Sequence, residues 1–181
     1  MKITKKFLRI DNHACESGYQ WWLDHGNPSD VIQTLRKLTE DNHNDWANWV
    51  IVRVMTHEQK VQYAIFAAEQ VIDIFEKKYP SDDRPRKAIE AAKNYLKGKS
   101  VKNKKAYVYA YAYAAAAVDG AAAAYAAAAA YAAADADAAA AAYAAAAAAA
   151  YAAADAAADA YAAKKEMQNK ILEYGIYLLT A

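Results

Sequence analysis

Residues 106–163 constrain the fold of this chain more than any other stretch, because they are almost entirely alanine punctuated by tyrosine and aspartate. Alanine is the strongest helix former, since it has no side-chain rotamer freedom to lose, so the segment is expected to be helical even with little tertiary support. The punctuation is periodic. Tyr125, Tyr143 and Tyr161 recur every 18 residues, and so do Asp119, Asp137 and Asp155. Five turns of helix bring each set into one row, with the tyrosine and aspartate rows about 120° apart. A single helix from Ala121 to Leu179 would be about 90 Å long, which is awkward for a compact monomer. Breaks are therefore expected near Asp119-Gly120 and between Asp135 and Asp137, giving close-packed antiparallel helices with tyrosines between them. The same faces offer a route to a homo-oligomer. Five aspartates within the run make a membrane span costly. There is no threonine between Lys102 and Tyr177, which removes the regular threonine array of alanine-rich ice-binding helices.

Residues 1–100 differ in kind: they hold all four tryptophans, all four histidines and all three prolines. Between the halves lies a basic stretch, Lys97 to Lys105, that reads as a solvated connector. The expected organisation is a helical bundle over 1–100 and an Ala/Tyr/Asp-rich helical segment over 101–181 that packs on it or forms an oligomer interface. Lys and Arg total 22 against 21 Asp and Glu, for a formal net charge of +1. Such balance argues against a nucleic-acid binder, which relies on a basic excess to neutralise phosphates. One cysteine, Cys15, excludes an internal disulfide framework and fits a reducing compartment. The N-terminal residues lack the apolar run of a signal peptide, so a cytoplasmic protein is expected.

Helical periodicity dominates the first half. Residues 30–39 place Val31, Leu35 and Leu38 on one face, with Asp30 as N-cap. Residues 44–55 bring Trp46, Trp49 and Val50 together, with Ile51 or Val54. Residues 57–78 form the longest regular pattern, a stripe of Val61, Ile65, Ala68, Ile72 and Phe75. The segment from Pro80 to Pro85 ends that helix and starts another through Ala88, Ile89, Ala92 and Leu96. An apolar C-terminal anchor (Ile171, Leu172, Ile176, Leu178, Leu179) is expected to dock onto the first half. The fold class is all-α, a helical bundle followed by Ala-rich packed helices.

Chemistry is sparsely signalled. The four histidines form no HExxH pattern, Cys15 has no CxxC partner and the five glycines are scattered, so neither a metal site nor a phosphate loop is expected, and no cofactor. Cys15 reads as a buried structural thiol. Asp82 and Asp83 resemble an acid–base pair on paper, but carboxylates ahead of a helix start more simply cap its free N–H groups. Arg84 and Arg86 have the fork geometry to grip a carboxylate or phosphate; pairing with Asp82, Asp83 or Glu90 competes. Trp21, Trp22, Trp46 and Trp49 are a rich aromatic set that packs a core or, grouped with arginines, builds a pocket for a flat charged ligand. These eight residues are the candidate binding set, with no catalytic residue among them.

Three stretches carry a resemblance: Ala14-Cys15-Glu16-Ser17-Gly18-Tyr19-Gln20-Trp21-Trp22; Asp45-Trp46-Ala47-Asn48-Trp49; and Tyr79-Pro80-Ser81-Asp82-Asp83-Arg84-Pro85-Arg86-Lys87-Ala88-Ile89-Glu90. Together they resemble an immunity-protein family of bacterial polymorphic toxin systems, with members in phage genomes as well. The resemblance covers residues 7 to about 97, and DDRPRKAIEAA is its most specific part. It implies an all-α fold, often continued by an Ala-rich helical tail, and a role in neutralising a toxin by binding it. The expected partner is a toxin or effector protein. The alternative is a phage anti-defence protein that sequesters a small nucleotide immune signal in a pocket lined by Trp and Arg.

Overall fold

The computed structural model describes residues 2–70, 72–78, 80–98 and 160–181. Among them the chain forms a π-helical turn (Lys6–Asp11) and seven α-helices: α1 (Glu16–Asp24), α2 (Val31–Glu40), α3 (Asn44–Val54), α4 (His57–Glu69), α5 (Ile72–Lys78), α6 (Arg84–Lys97) and α7 (Ala160–Thr180). No strand occurs among these residues, so the described fold is all-α. No described helix is long and apolar enough to cross a membrane. The expected breaks at 119–120 and 135–137, and the stacking of residues 106–159, lie outside the described residues.

Local sequence explains most helix boundaries. Asp30 caps α2, its carboxylate accepting from the Gln33 backbone N–H at 2.8 Å. Val31, Leu35 and Leu38 are buried as their spacing requires. Thr56 and Gln59 form a reciprocal capping box at the start of α4. Tight corners join α1 to α2 through Gly26 and Asn27, and α2 to α3 through Asn42, all three with positive φ.

The pattern over 57–78 does not make one helix. It divides into α4 and α5, and α4 ends where the Gln70 side-chain amide turns back to donate to the Phe66 carbonyl at 3.1 Å. The Phe66 carbonyl also accepts from the Gln70 backbone N–H at 3.2 Å, so the last helical bond is kept and the side chain adds a second donor to it. Val61, Ile65, Ala68 and Ile72 are buried as expected; the side chain of Phe75 lies outside the described residues.

The packing order runs α2–α3–α7–α4–α6, with α5 against α4. The C-terminal helix therefore lies across α3 and α4, and the expected docking of the anchor is seen in the burial of Ile171, Leu172, Ile176 and Leu178. Three contacts fix it. At one end, the Asn44 amide donates to Asn169 Oδ1 at 3.0 Å, and Gln168 Nε2 donates to Asp45 Oδ1 at 2.8 Å. At the other, Gln59 Nε2 donates to the Leu178 carbonyl. In the middle sits Gly175, where a Cβ would come within 2.5 Å of Ile51 Cδ1 and 2.7 Å of Tyr63 Cε2. Only a residue without a side chain lets α7 lie so close to both helices.

Tyr63 is the largest fully buried side chain. Its hydroxyl donates to Asn48 Oδ1 at 2.9 Å, joining α4 to α3 beneath Gly175. Burial in this apolar setting pushes its phenol far above the ordinary value of 10.0.

The junction around Gly175 can be probed in two ways. Gly175→Ala should lower stability, because overpacking a fixed core costs about 1–3 kcal/mol. That exceeds the roughly 1 kcal/mol gained by replacing glycine in a helix. Urea unfolding showing an unchanged or raised midpoint would contradict the close approach. Tyr63 also sets a pH limit. A group whose ionisation is suppressed only in the folded state contributes full stability below its unfolded pKa, which is lost as pH rises above it. Above pH about 10, stability should fall by about 1.4 kcal/mol per pH unit more in the native protein than in Tyr63→Phe. Equal slopes in urea titrations on either side of pH ~10 would contradict this.

Candidate functional site

The four tryptophans meet around one cavity. Its volume is about 340 Å³, and its walls come from the N-terminal segment, α1, α2 and α3. Trp21 and Trp22 arrive side by side from α1, and Trp46 and Trp49 from successive turns of α3. Leu8, Leu38 and Val50 add apolar wall, while His13, Cys15 and Asp45 bring polar atoms. The tryptophans are thus core and pocket at once. Trp21 and Trp22 are buried and Trp46 and Trp49 half-buried.

Hydrogen bonds and ring stacking hold these walls. The Trp21 indole N–H donates to Asp41 Oδ2 at 2.7 Å, and that of Trp22 to the Pro28 carbonyl at 2.9 Å. His25 stacks on Trp21 with centroids 4.2 Å apart, and His43 stacks on Trp46 at 4.0 Å. The Arg53 guanidinium lies 3.9 Å from the Trp49 ring centroid, a cation–π contact. Both ring nitrogens of His25 face acceptors, the Trp21 carbonyl at 2.7 Å and Asp41 Oδ2 at 3.1 Å.

The cavity's remaining side is carried by the chain between the π-helical turn and α1. His13 there has φ of 50°, a left-handed conformation that histidine tolerates better than bulkier residues. Arg9 straps this segment down: it donates to the Ala14 carbonyl, pairs with Glu16 at 2.9 Å and lies over the Tyr19 ring. Cys15 is exposed at the N-cap of α1, not buried as the sequence suggested, because the helix end places it at the surface and not in the core. Gly18 opens the cavity from α1, where a Cβ would stand 3.3 Å from Cys15 Sγ and 3.8 Å from the Trp46 ring.

Asp82, Asp83 and Arg86 lie elsewhere, at the corner between α5 and α6. Asp83 sits at the N-cap of α6 but makes no side-chain capping bond, and pairs instead with Lys87 at 2.8 Å. Arg86 grips Glu76 with both arms of its fork, Nε to Oε1 at 2.5 Å and Nη2 to Oε2 at 2.7 Å, with Asp73 at 3.5 Å. That bidentate bond holds the Glu76 carboxyl below its usual range and raises the Arg86 guanidinium. The bonded partners of Arg86 are thus Glu76 and Asp73 of α5, not Asp82 or Asp83, while Glu90 acts on it only through its charge. Asp82 is half-buried in the turn ahead of α6, and the Arg84 side chain lies outside the described residues. The eight candidate residues are therefore not one site: the tryptophans converge, and the described acidic and basic residues hold a helix corner.

Asp45, Gly18 and Ile3 also line the cavity; Gly18 and Asp45 stand in stretches that carry the resemblance, but periodicity and spacing give none of the three a role. The exposed Asp45 sits in the first turn of α3, and its carboxylate is oriented by Gln168 of α7. No group of three or more His, Cys, Asp or Glu side chains suited to a metal occurs among the described residues.

Neither the curated proteins nor the solved structures yielded a match. A family model described as Imm-5 like putative immunity protein does match, over residues 50–175. The match runs from within α3 through α4, α5 and α6 and the alanine-rich run to Gly175, so it begins later than the resemblance read from the sequence and includes the tail. Spanning well over half of the chain, it places the protein in that family of immunity proteins, whose general role is toxin neutralisation.

Proposed function

We propose that the protein neutralises a toxin by binding it, without catalysing a reaction, and that the tryptophan-lined cavity is where part of the toxin is received. The convergence of four tryptophans on one open cavity carries this reading. Tryptophan is the residue most enriched at binding hot spots, since a large rigid surface is desolvated with little entropy loss. Walls fixed by hydrogen bonds and stacking reduce the ordering cost further. The family supplies the class of partner, and the cavity supplies a place for it. Action in the bacterial cytoplasm belongs to the same proposal.

The described lining bears on the nucleotide reading too. It contains no lysine or arginine, so it offers no charge to hold a phosphate. The geometry thus favours a protein partner over an anionic signal molecule. Homo-oligomerisation through the alanine-rich segment rests on residues outside those described.

Co-expression with toxins of polymorphic systems, in a strain that each toxin alone arrests, tests the proposal. The native chain should restore growth against its cognate toxin and co-purify with it in a one-to-one complex. A double variant, Trp46→Ala with Trp49→Ala, should remain helical by circular dichroism yet lose affinity by more than about 2 kcal/mol, roughly 30-fold. Undiminished binding by the folded double variant would place the contact elsewhere. Failure to neutralise any toxin, with a small-molecule adduct on the purified protein in native mass spectrometry, would overturn the proposal.

A further inference from the structure

The chemistry of the cavity says what kind of group it takes. Asp45 is the one Asp, Glu, Lys or Arg among the described lining residues. Its carboxylate is exposed and held in place by a neutral amide, Gln168 Nε2, and no lysine or arginine among the described residues pairs with it. Beside it stand indole faces whose quadrupoles attract positive charge. Of the four indole N–H groups, those of Trp21 and Trp22 are already committed to Asp41 and the Pro28 carbonyl, which leaves at most two such donors, on Trp46 and Trp49, for an acceptor. One of these rings already carries a cation, since the Arg53 guanidinium, one turn further along α3, rests 3.9 Å from the centroid of Trp49.

We infer that the cavity receives one arginine or lysine side chain projecting from the bound toxin. Its aliphatic stem lies against the tryptophans and its charged head meets Asp45. The inference rests on the proposed function for the identity of the partner, but its charge preference can be measured without one. A fixed carboxylate beside aromatic walls repels anions and leaves a neutral apolar group with no counterpart for the charge, so selectivity comes from the sign of the occupant.

All four tryptophans of the chain line this cavity, so intrinsic fluorescence reports its occupancy directly. The probes are n-butylguanidinium and pentanoate, which share an aliphatic stem and differ in charge. Butylguanidinium should change the emission saturably and bind at least about tenfold more tightly than pentanoate. Asp45→Asn should erase that preference. Gly18→Leu should remove the response to both probes by filling the cavity while the helical circular dichroism signal is kept, the exposed Cys15 side chain turning aside to admit the Cβ. Equal or tighter binding of pentanoate would overturn the inference. So would an undiminished preference in Asp45→Asn, or no saturable response to either probe. Should the native chain still neutralise its toxin in that event, the proposed function stands and only the occupant is wrong. A cation preference without any toxin complex does the opposite, sinking the function and keeping the cavity's chemistry.

Discussion

The absence of a side chain at Gly175 is the constraint on which the described packing rests. It lets α7 settle across α3 and α4, against Ile51 and the ring of Tyr63. Tyr63 has no freedom to yield, being fully buried and hydrogen-bonded to Asn48. Two apolar helices brought together over a long stretch of chain need a contact strong enough to offset the entropy of closing it. The burial of Ile171, Leu172, Ile176 and Leu178 provides the area, and Gly175 the fit. Polar contacts at both ends then fix the register of α7 along its neighbours.

That frame reaches the cavity through one residue pair. Gln168 of α7 orients the Asp45 carboxylate at the start of α3, so the helix that completes the bundle also positions a side chain of the tryptophan pocket. The family match covers most of the frame, from Val50 to Gly175. The cavity is built mostly from residues before that span, with Val50 at the junction. Within one molecule, then, a packing scaffold and a tryptophan-lined pocket occupy different parts of the chain yet share an anchored helix.

What was legible in the sequence was local. The Asp30 cap, the Val31–Leu35–Leu38 face and the helix start near Pro85 depend on neighbours a few residues away, and each is seen as expected. The division of 57–78 was not legible, because neither glycine nor proline marks it and the buried apolar stripe runs on from Ala68 to Ile72 across the break. Tyr63 lies off the apolar stripe of α4, and its burial follows only from α7 packing on a second face. The tryptophans were recognisable as a set, but their convergence needs the α1–α2–α3 corners with their positive-φ residues. Arg86 was legible as a ligand-gripping residue or a partner of nearby acids. It pairs with Glu76, ten residues back, because the turn between α5 and α6 brings the first turn of α6 within side-chain reach of α5. Gly18 and Asp45 stood in the stretches that carry the resemblance, but their place as walls of a cavity was not legible, since that space is enclosed by distant segments.

We propose that a toxin is bound at the N-terminal tryptophan cavity, with the α5–α6 corner outside the contact. Hydrogen–deuterium exchange on the protein alone and in complex with its cognate toxin measures this most directly. Complex formation should slow exchange in residues 13–22 and 44–50, with the helix corner around Asp83 and Arg86 unchanged. Protection centred on α6, with the cavity segments exchanging as in the free protein, would contradict it.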